Sequence, residues 1–374
     1  MRSEYDNAYQ CSSLNNVQSK TFTLGTENLQ KLQLRQEFFW SSKKITLRGY
    51  GVAKRIPLQS MGHPVSQSEL LKEIRNTNLS ERELMPGEGT CAFGAFPFDP
   101  NQSAELIIPR IVLGRHATGE RWVTYTSELD LSYDDIVQEI EHNIVNEEYP
   151  PVTEIHVDSP IKPEIWRDKK IPEIKDLIHG KKVKKVVLAR ELILTANKEI
   201  PIETILQKLK EKNATSMIFN IDGFIGASPE LLVSRFGSSV RANPLAGTAT
   251  RHREESADKQ SRQELLDSTK DAYEHKVTIE WLLKELLPFC SFIDADPEPR
   301  IMSLPHVHHL GTEVTGQLSQ PAASILELVR ALHPTPAVAG DPQTEALQII
   351  KDIEGIDRRR YAGPVGWVDS SGNG

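Results

Sequence analysis

Between residues 21 and 150, apolar and polar positions alternate in short runs. The clearest are ITLRGYGVAKRI, TCAFGAFPFD, AELIIPRIVLGRH and RWVTYTSEL. Gly, Pro and Asn separate them, the pattern of antiparallel strands joined by turns. The period then changes. DDIVQEIEHNIVN places Ile136, Ile140 and Ile144 at helical spacing. EEYPPVTEIHVDSPIKPEIW follows, rich in proline and acid, and reads as a connection between two halves.

The second half is patterned more strongly. KVVLARELILT reads as a strand, and IPIETILQKLKEK sets Ile202, Ile205, Leu206 and Leu209 on one helix face. SMIFNIDGFIGASPELLVSRFGSSVRANPLAG reads as strands and tight turns, with Asp222-Gly223 a hairpin signal. A single long helix is expected over 255–287. A second, PAASILELVRALHP, is stopped by Pro334. AGPVGWVDSSGNG is a strand entering a Gly/Asn turn. Strands and helices mix without regular βαβ alternation, which favours an α+β fold with large antiparallel sheets. Residues 1–20 are polar and read as disordered. Residues 21–374 read as one domain, with halves at 21–150 and 151–374.

Composition narrows the partners. The chain has 374 residues, 38% hydrophobic and 26% charged, with a net charge of −8. That balance argues against a nucleic-acid binder. The three cysteines, Cys11, Cys91 and Cys290, are far apart and form no metal-ligand spacing. No signal-peptide core opens the chain, and no apolar run reaches the roughly 20 residues of a membrane helix. A soluble, cytoplasmic protein without membrane contact is expected.

Several polar residues sit where chemistry could use them, each with an ordinary alternative. Lys185 closes the lysine run of GKKVKKVVLAR, either as a solvated strand start or as an enclosed amine. A base must be neutral, so a lysine with a free value of about 10.4 would need to fall by about 3 units. Glu230 lies in GASPELLV among apolar neighbours. That would raise its pKa and suit a general acid, unless it faces water beside a proline bulge. Glu274, Lys270 and Asp267 fall on one stripe of the expected long helix. They could bind a hard cation or form a surface ion pair. PLAGTATR holds a small-residue turn at Gly247 and Thr248. PHVHHLGTEVTG carries His306, His308 and His309, with no zinc-motif partner in the sequence.

In order, KVVLAR, GASPELL, PLAGTATR, KDAYEH, HHLGTEVTG, ALHPTPAVAGDP and AGPVGW resemble the chorismate-utilising enzymes, and most of all the isochorismate synthases. The resemblance covers 181–374. It implies the chorismate-binding, ADC synthase-like fold: two large antiparallel sheets packed face to face, with helices outside. It implies Mg²⁺-dependent isomerisation of chorismate to isochorismate, feeding siderophore, menaquinone or salicylate synthesis, in a chain acting as a monomer. It makes Lys185 the general base, Glu230 the general acid and Glu274 a Mg²⁺ ligand. Gly247, Thr248 and His309 would lie against the substrate.

Two positions separate this branch from its relatives. Ala246 stands where aminodeoxychorismate synthases carry a nucleophilic lysine, and Lys185 is present where anthranilate synthases lack the base. Both imply water as the nucleophile. Salicylate synthases share the base and acid and remain the alternative. The family pattern continues beyond the GNG turn with an arginine and a second Mg²⁺-binding glutamate. From their absence an inactive or weakened homologue is the further alternative. The same departure leads one to expect an unpaired edge at Val365–Asp369 that exposes Trp367.

Overall fold

The computed structural model describes residues 17–24, 37–61, 72–74, 84–129, 132–142 and 152–374. Ile144 lies outside them. The alternating runs of the first half form β1 (Gln18–Thr23), β2 (Phe38–Ser41), β3 (Ile45–Leu58), β4 (Cys91–Ala95), β5 (Ala104–His116) and β6 (Arg121–Ser127). Helix α1 (Tyr133–His142) follows, and its Ile136 and Ile140 are fully buried. Beyond it run β7 (Ile155–Asp158), α2 (Ile171–His179), β8 (Lys185–Val186), β9 (Ile193–Ala196), α3 (Ile202–Lys212), β10 (Met217–Ile221) and β11 (Phe224–Ser228).

Eight of these strands and one later strand share one spine. The long β3 and β5 pair along almost their whole length. From them the nine-stranded sheet runs β1-β6-β5-β3-β2-β10-β11, with β4 beside the first part of β5 and β20 (Val365–Asp369) beside β4. The expected strand over 185–195 is shorter than its pattern. It pairs regularly only at Lys185 and Val186 before β9 joins β7 in an exposed ribbon.

A second antiparallel layer faces the first. It is built from β12 (Leu231–Phe236), β13 (Ser239–Asn243), β14 (Leu245–Thr250), β15 (Cys290–Ala295), β16 (Arg300–Ser303), β17 (Val307–Gly311) and β18 (Val314–Leu318). It divides into a four-stranded part, β12-β13-β18-β15, and a three-stranded part, β14-β17-β16. The division falls at Pro244, between β13 and β14, where proline has no N–H to give a ladder. The main core lies between the layers. Leu106, Ile108 and Val368 from the first meet Val240, Val314 and Leu318 from the second. Leu282, Leu286 and Leu328 from the helices α5 (Thr269–Leu286) and α6 (Ile325–Leu332) complete it.

Three expectations are corrected. Residues 18–20 belong to β1, and Ser19 is buried and hydrogen-bonded to Thr126 and Thr90. Val365–Asp369 is an edge strand, as expected, with β4 as its ladder partner, but it does not expose Trp367: Trp367 and Val368 are both buried. Asp369 closes the turn that follows by accepting from the backbone of Ser371 and Asn373 and from the Asn373 amide. The expected long helix is two helices, α4 (Glu255–Asp267) and α5. Ser268 is extended and caps the second by accepting from the Asp271 N–H.

Candidate active site

Helix α5 carries Glu274 towards the strand β8. There Lys185 Nζ lies 2.5 Å from Glu274 Oε1, both side chains about one-third exposed (30% and 32%). The stripe read from sequence is therefore wrong in composition. Asp267 ends the preceding helix, and the ion-pair partner of Glu274 is Lys185 rather than Lys270. The other lysines of the run behave differently. Lys184 is exposed and pairs with Asp341, and Lys181 and Lys182 precede the strand in the open.

The position of Lys185 depends on a glycine. Val186 and Lys185 pair with Gly340 and Asp341 of β19 (Gly340–Asp341), at the start of α7 (Gln343–Glu354). Gly340 has φ +145°, and a Cβ there would stand 2.1 Å from the Lys185 carbonyl oxygen. Only glycine permits that approach.

Glu230 follows Pro229 between β11 and β12. Burial pushes its carboxyl up to about 7, against a weak 3.5 Å contact from the Leu245 N–H and the charge of Lys185, both of which lower it. The acid expected from its apolar neighbours is thus half protonated near neutrality. Glu230 also lines a cavity of about 500 Å³ together with Trp40, Phe219, Leu231, Val365 and Trp367. Lys185, Glu274, Thr248 and His309 lie outside that cavity.

Leu245, which contacts Glu230, opens β14, and the same strand supplies Gly247 and Thr248. Gly247 has φ +75° and forms a bulge opposite β17. Such a bulge re-aims the neighbouring backbone. Its Cα side lies against Asp271 of α5, one turn before Glu274. His309 sits opposite Thr248, with Nδ1 3.0 Å from the Gly247 carbonyl and 3.0 Å from Thr248 Oγ1. A carbonyl only accepts, so Nδ1 carries a proton and Nε2 is left to face a ligand. His308 points the other way. It is fully buried, with Nε2 on Asp258 (2.8 Å) and Nδ1 on Ser303 (2.9 Å).

Direct contacts join the six residues named from sequence in three groups: Lys185 with Glu274, Gly247 and Thr248 with His309, and Glu230 with the start of β14. Sequence reasoning missed Asp271, Gly340 and the Leu245 N–H. The glycine of AVAGDP was the one visible signal among them.

The set suits a magnesium ion only in part. Glu274 offers a hard, accessible anionic oxygen, and Mg²⁺ is commonly held by one or two carboxylates with substrate oxygens and water. Among the described residues no group of three or more His, Cys, Asp or Glu side chains converges as a protein-only metal cage.

The isochorismate synthase MenF of Bacillus subtilis is 31% identical over 365 residues, covering 90% of this chain and 77% of that protein. The isochorismate synthase DhbC of the same organism is 31% identical over 348 residues, covering 90% of this chain and 81% of that protein. A solved Bacillus anthracis chain, assigned as a 2,3-dihydroxybenzoate-specific isochorismate synthase, superposes with a TM-score of 0.76 at 29% identity. It covers 92% of this chain and 84% of that one. The fold alone is shared with anthranilate synthase component I of Streptococcus pneumoniae, with a TM-score of 0.65 at 17% identity. The family model described as chorismate binding enzyme matches residues 4–374, and the chain belongs to that family.

Proposed function

We propose that this protein is an isochorismate synthase that converts chorismate to isochorismate by attack of water at C2 and loss of the C4 hydroxyl. The observation that carries the reading is the pairing of two groups of opposite function. Glu230 is a buried carboxyl raised to about 7, and within its electrostatic reach Lys185 holds its amine against Glu274.

To take the proton of the attacking water, Lys185 must first leave its ion pair with Glu274 and be neutral; Glu230 gives its proton to the departing hydroxyl. Both transfers leave the ring with the same number of oxygens, as an isomerisation requires. Gly247 and Thr248 present backbone to the ring, and Nε2 of His309 meets a substrate hydroxyl. Mg²⁺ held by Glu274 and substrate oxygens would offset the charge of the ring carboxylate. Ala246 leaves no amine in the β14 turn to compete as nucleophile. The protein acts in the cytoplasm as a monomer. The product would feed siderophore, menaquinone or salicylate synthesis, and the Bacillus anthracis relative is named for 2,3-dihydroxybenzoate. No described helix is long and apolar enough to cross a membrane.

Incubation of the purified protein with chorismate and Mg²⁺, with chromatographic separation of products, tests this. Isochorismate as the main product supports it. Salicylate with pyruvate would instead identify a salicylate synthase, and unchanged chorismate would remove the enzyme reading.

A further inference from the structure

We propose that the buried Glu354–Arg358 ion pair is a positioning device for Lys185. The proposal rests on the reading of Lys185 as the catalytic base. The pair stands at the end of α7, with side chains only 1% and 3% exposed. Arg358 Nε donates to Glu354 Oε2 at 2.8 Å, and its Nη2 to Glu354 Oε1. The remaining bonds all go to backbone beside the short β8–β19 ladder. Arg358 Nη2 donates to the Val187 carbonyl (2.6 Å), and Nη1 to the Val338 carbonyl (3.0 Å). The Ala189 N–H donates to Glu354 Oε1 (2.6 Å). Arg358 is also stacked 4.1 Å from the centre of the Phe98 ring.

The location explains the need. The ladder that carries Lys185 is two residues long, and one further bond runs from the Val187 N–H to the Ala339 carbonyl. Past that point the chain has no sheet partner until β9. The ion pair supplies the missing ladder, binding Val187 and Ala189 from one side and Val338 from the other. A lysine side chain has four rotatable bonds, so its amine is placed only as well as its backbone is fixed. An apolar pair of equal volume would fill the space with less desolvation cost. It would leave the Val187 and Val338 carbonyls and the Ala189 N–H without partners. Glu354 and Arg358 act through Lys185 and touch neither substrate nor metal.

Two variants test the proposal. Arg358→Lys keeps the charge and loses the fork. Glu354→Gln keeps an oxygen for the Ala189 N–H and loses the charge. The first readout needs no turnover: the rate at which an amine-acylating reagent modifies Lys185, relative to exposed Lys182 in the same molecule, measured by mass spectrometry. Loosening of the Lys185–Glu274 contact should raise that ratio several-fold in whichever variant folds. An unchanged ratio with a lowered Tm would overturn the proposal and leave the pair as a stabilising contact only. The second readout is a double-mutant cycle. Arg358→Lys should lower kcat by about 10- to 100-fold with KM within about twofold. In a Lys185→Ala background the same change should cost less than about twofold. Equal losses in both backgrounds would also overturn it. If the parent protein makes no isochorismate, the proposed function fails, while the acylation ratio still decides the positioning role.

Discussion

Replacing Glu230 by glutamine should stabilise the protein at high pH while abolishing its chemistry. The carboxyl is raised from an ordinary 4.5 to about 7, first by burial. A carboxyl raised on folding binds more protons in the folded than in the unfolded chain. Its contribution is therefore fully present below pH 4.5 and is lost as pH rises through 7. Each pKa unit is worth about 1.4 kcal/mol, so ionising Glu230 in place costs the folded state roughly 3 kcal/mol. Glutamine cannot ionise and escapes that cost. Urea unfolding at pH 5 and pH 8 should show the advantage of Glu230→Gln over the parent growing by about 2–3 kcal/mol between the two. Glutamine also has no proton to release to a leaving hydroxyl, so turnover should fall by about 10²- to 10⁴-fold with chorismate still bound. In the parent, kcat should decline above pH 7 as the acid is lost. A stability difference that does not change with pH would refute the desolvated carboxyl. Near-normal turnover by Glu230→Gln would refute the general acid.

Three further outcomes follow from the same geometry. Lys185→Ala should reduce turnover by about 10²-fold or more, whereas Lys181→Ala and Lys182→Ala should stay near the parent rate; equal losses in steady-state assays would mean a diffuse basic patch instead. Gly340→Ala drives a Cβ to 2.1 Å from the Lys185 carbonyl oxygen and should cost about 3 kcal/mol or more, read as a large drop in Tm; an unchanged Tm would deny the close approach. Glu274→Gln should raise the Mg²⁺ concentration needed for half-maximal turnover by about tenfold or more, and chelation should stop the parent; a metal response equal to the parent's would remove Glu274 as a ligand.

Local chemistry was readable from the chain and long-range partnership was not. The first part of β3 shows its period because Ile45 and Leu47 are buried while Thr46 and Arg48 are not, whereas β4, β5 and β6 are buried on both faces over much of their length. Asp222 and Gly223, with φ of +50° and +78°, make the tight turn that their dipeptide announces. The perturbed acid was legible because the apolar residues that desolvate Glu230 include its own sequence neighbours. The partner of Lys185 was not, since Glu274 lies 89 positions away and meets it only after α5 folds against β14. The break at Ser268 was hidden because a capping serine and a mid-helix serine look alike without the fold. Trp367 was misplaced for the same reason: its strand partner, β4, is supplied by the opposite end of the chain. Glu354 and Arg358 are spaced like any surface pair on a helix, and nothing in that spacing reveals that both are buried.

The claim that water is the nucleophile at C2 is tested most directly by running the reaction in H₂¹⁸O with Mg²⁺ and chorismate. Mass spectrometry of the isolated isochorismate should find one ¹⁸O atom, located on the C2 hydroxyl, with the enolpyruvyl and carboxylate oxygens unlabelled. Isochorismate without ¹⁸O would mean that the hydroxyl migrates within the substrate, and would contradict the roles given to Lys185 and Glu230.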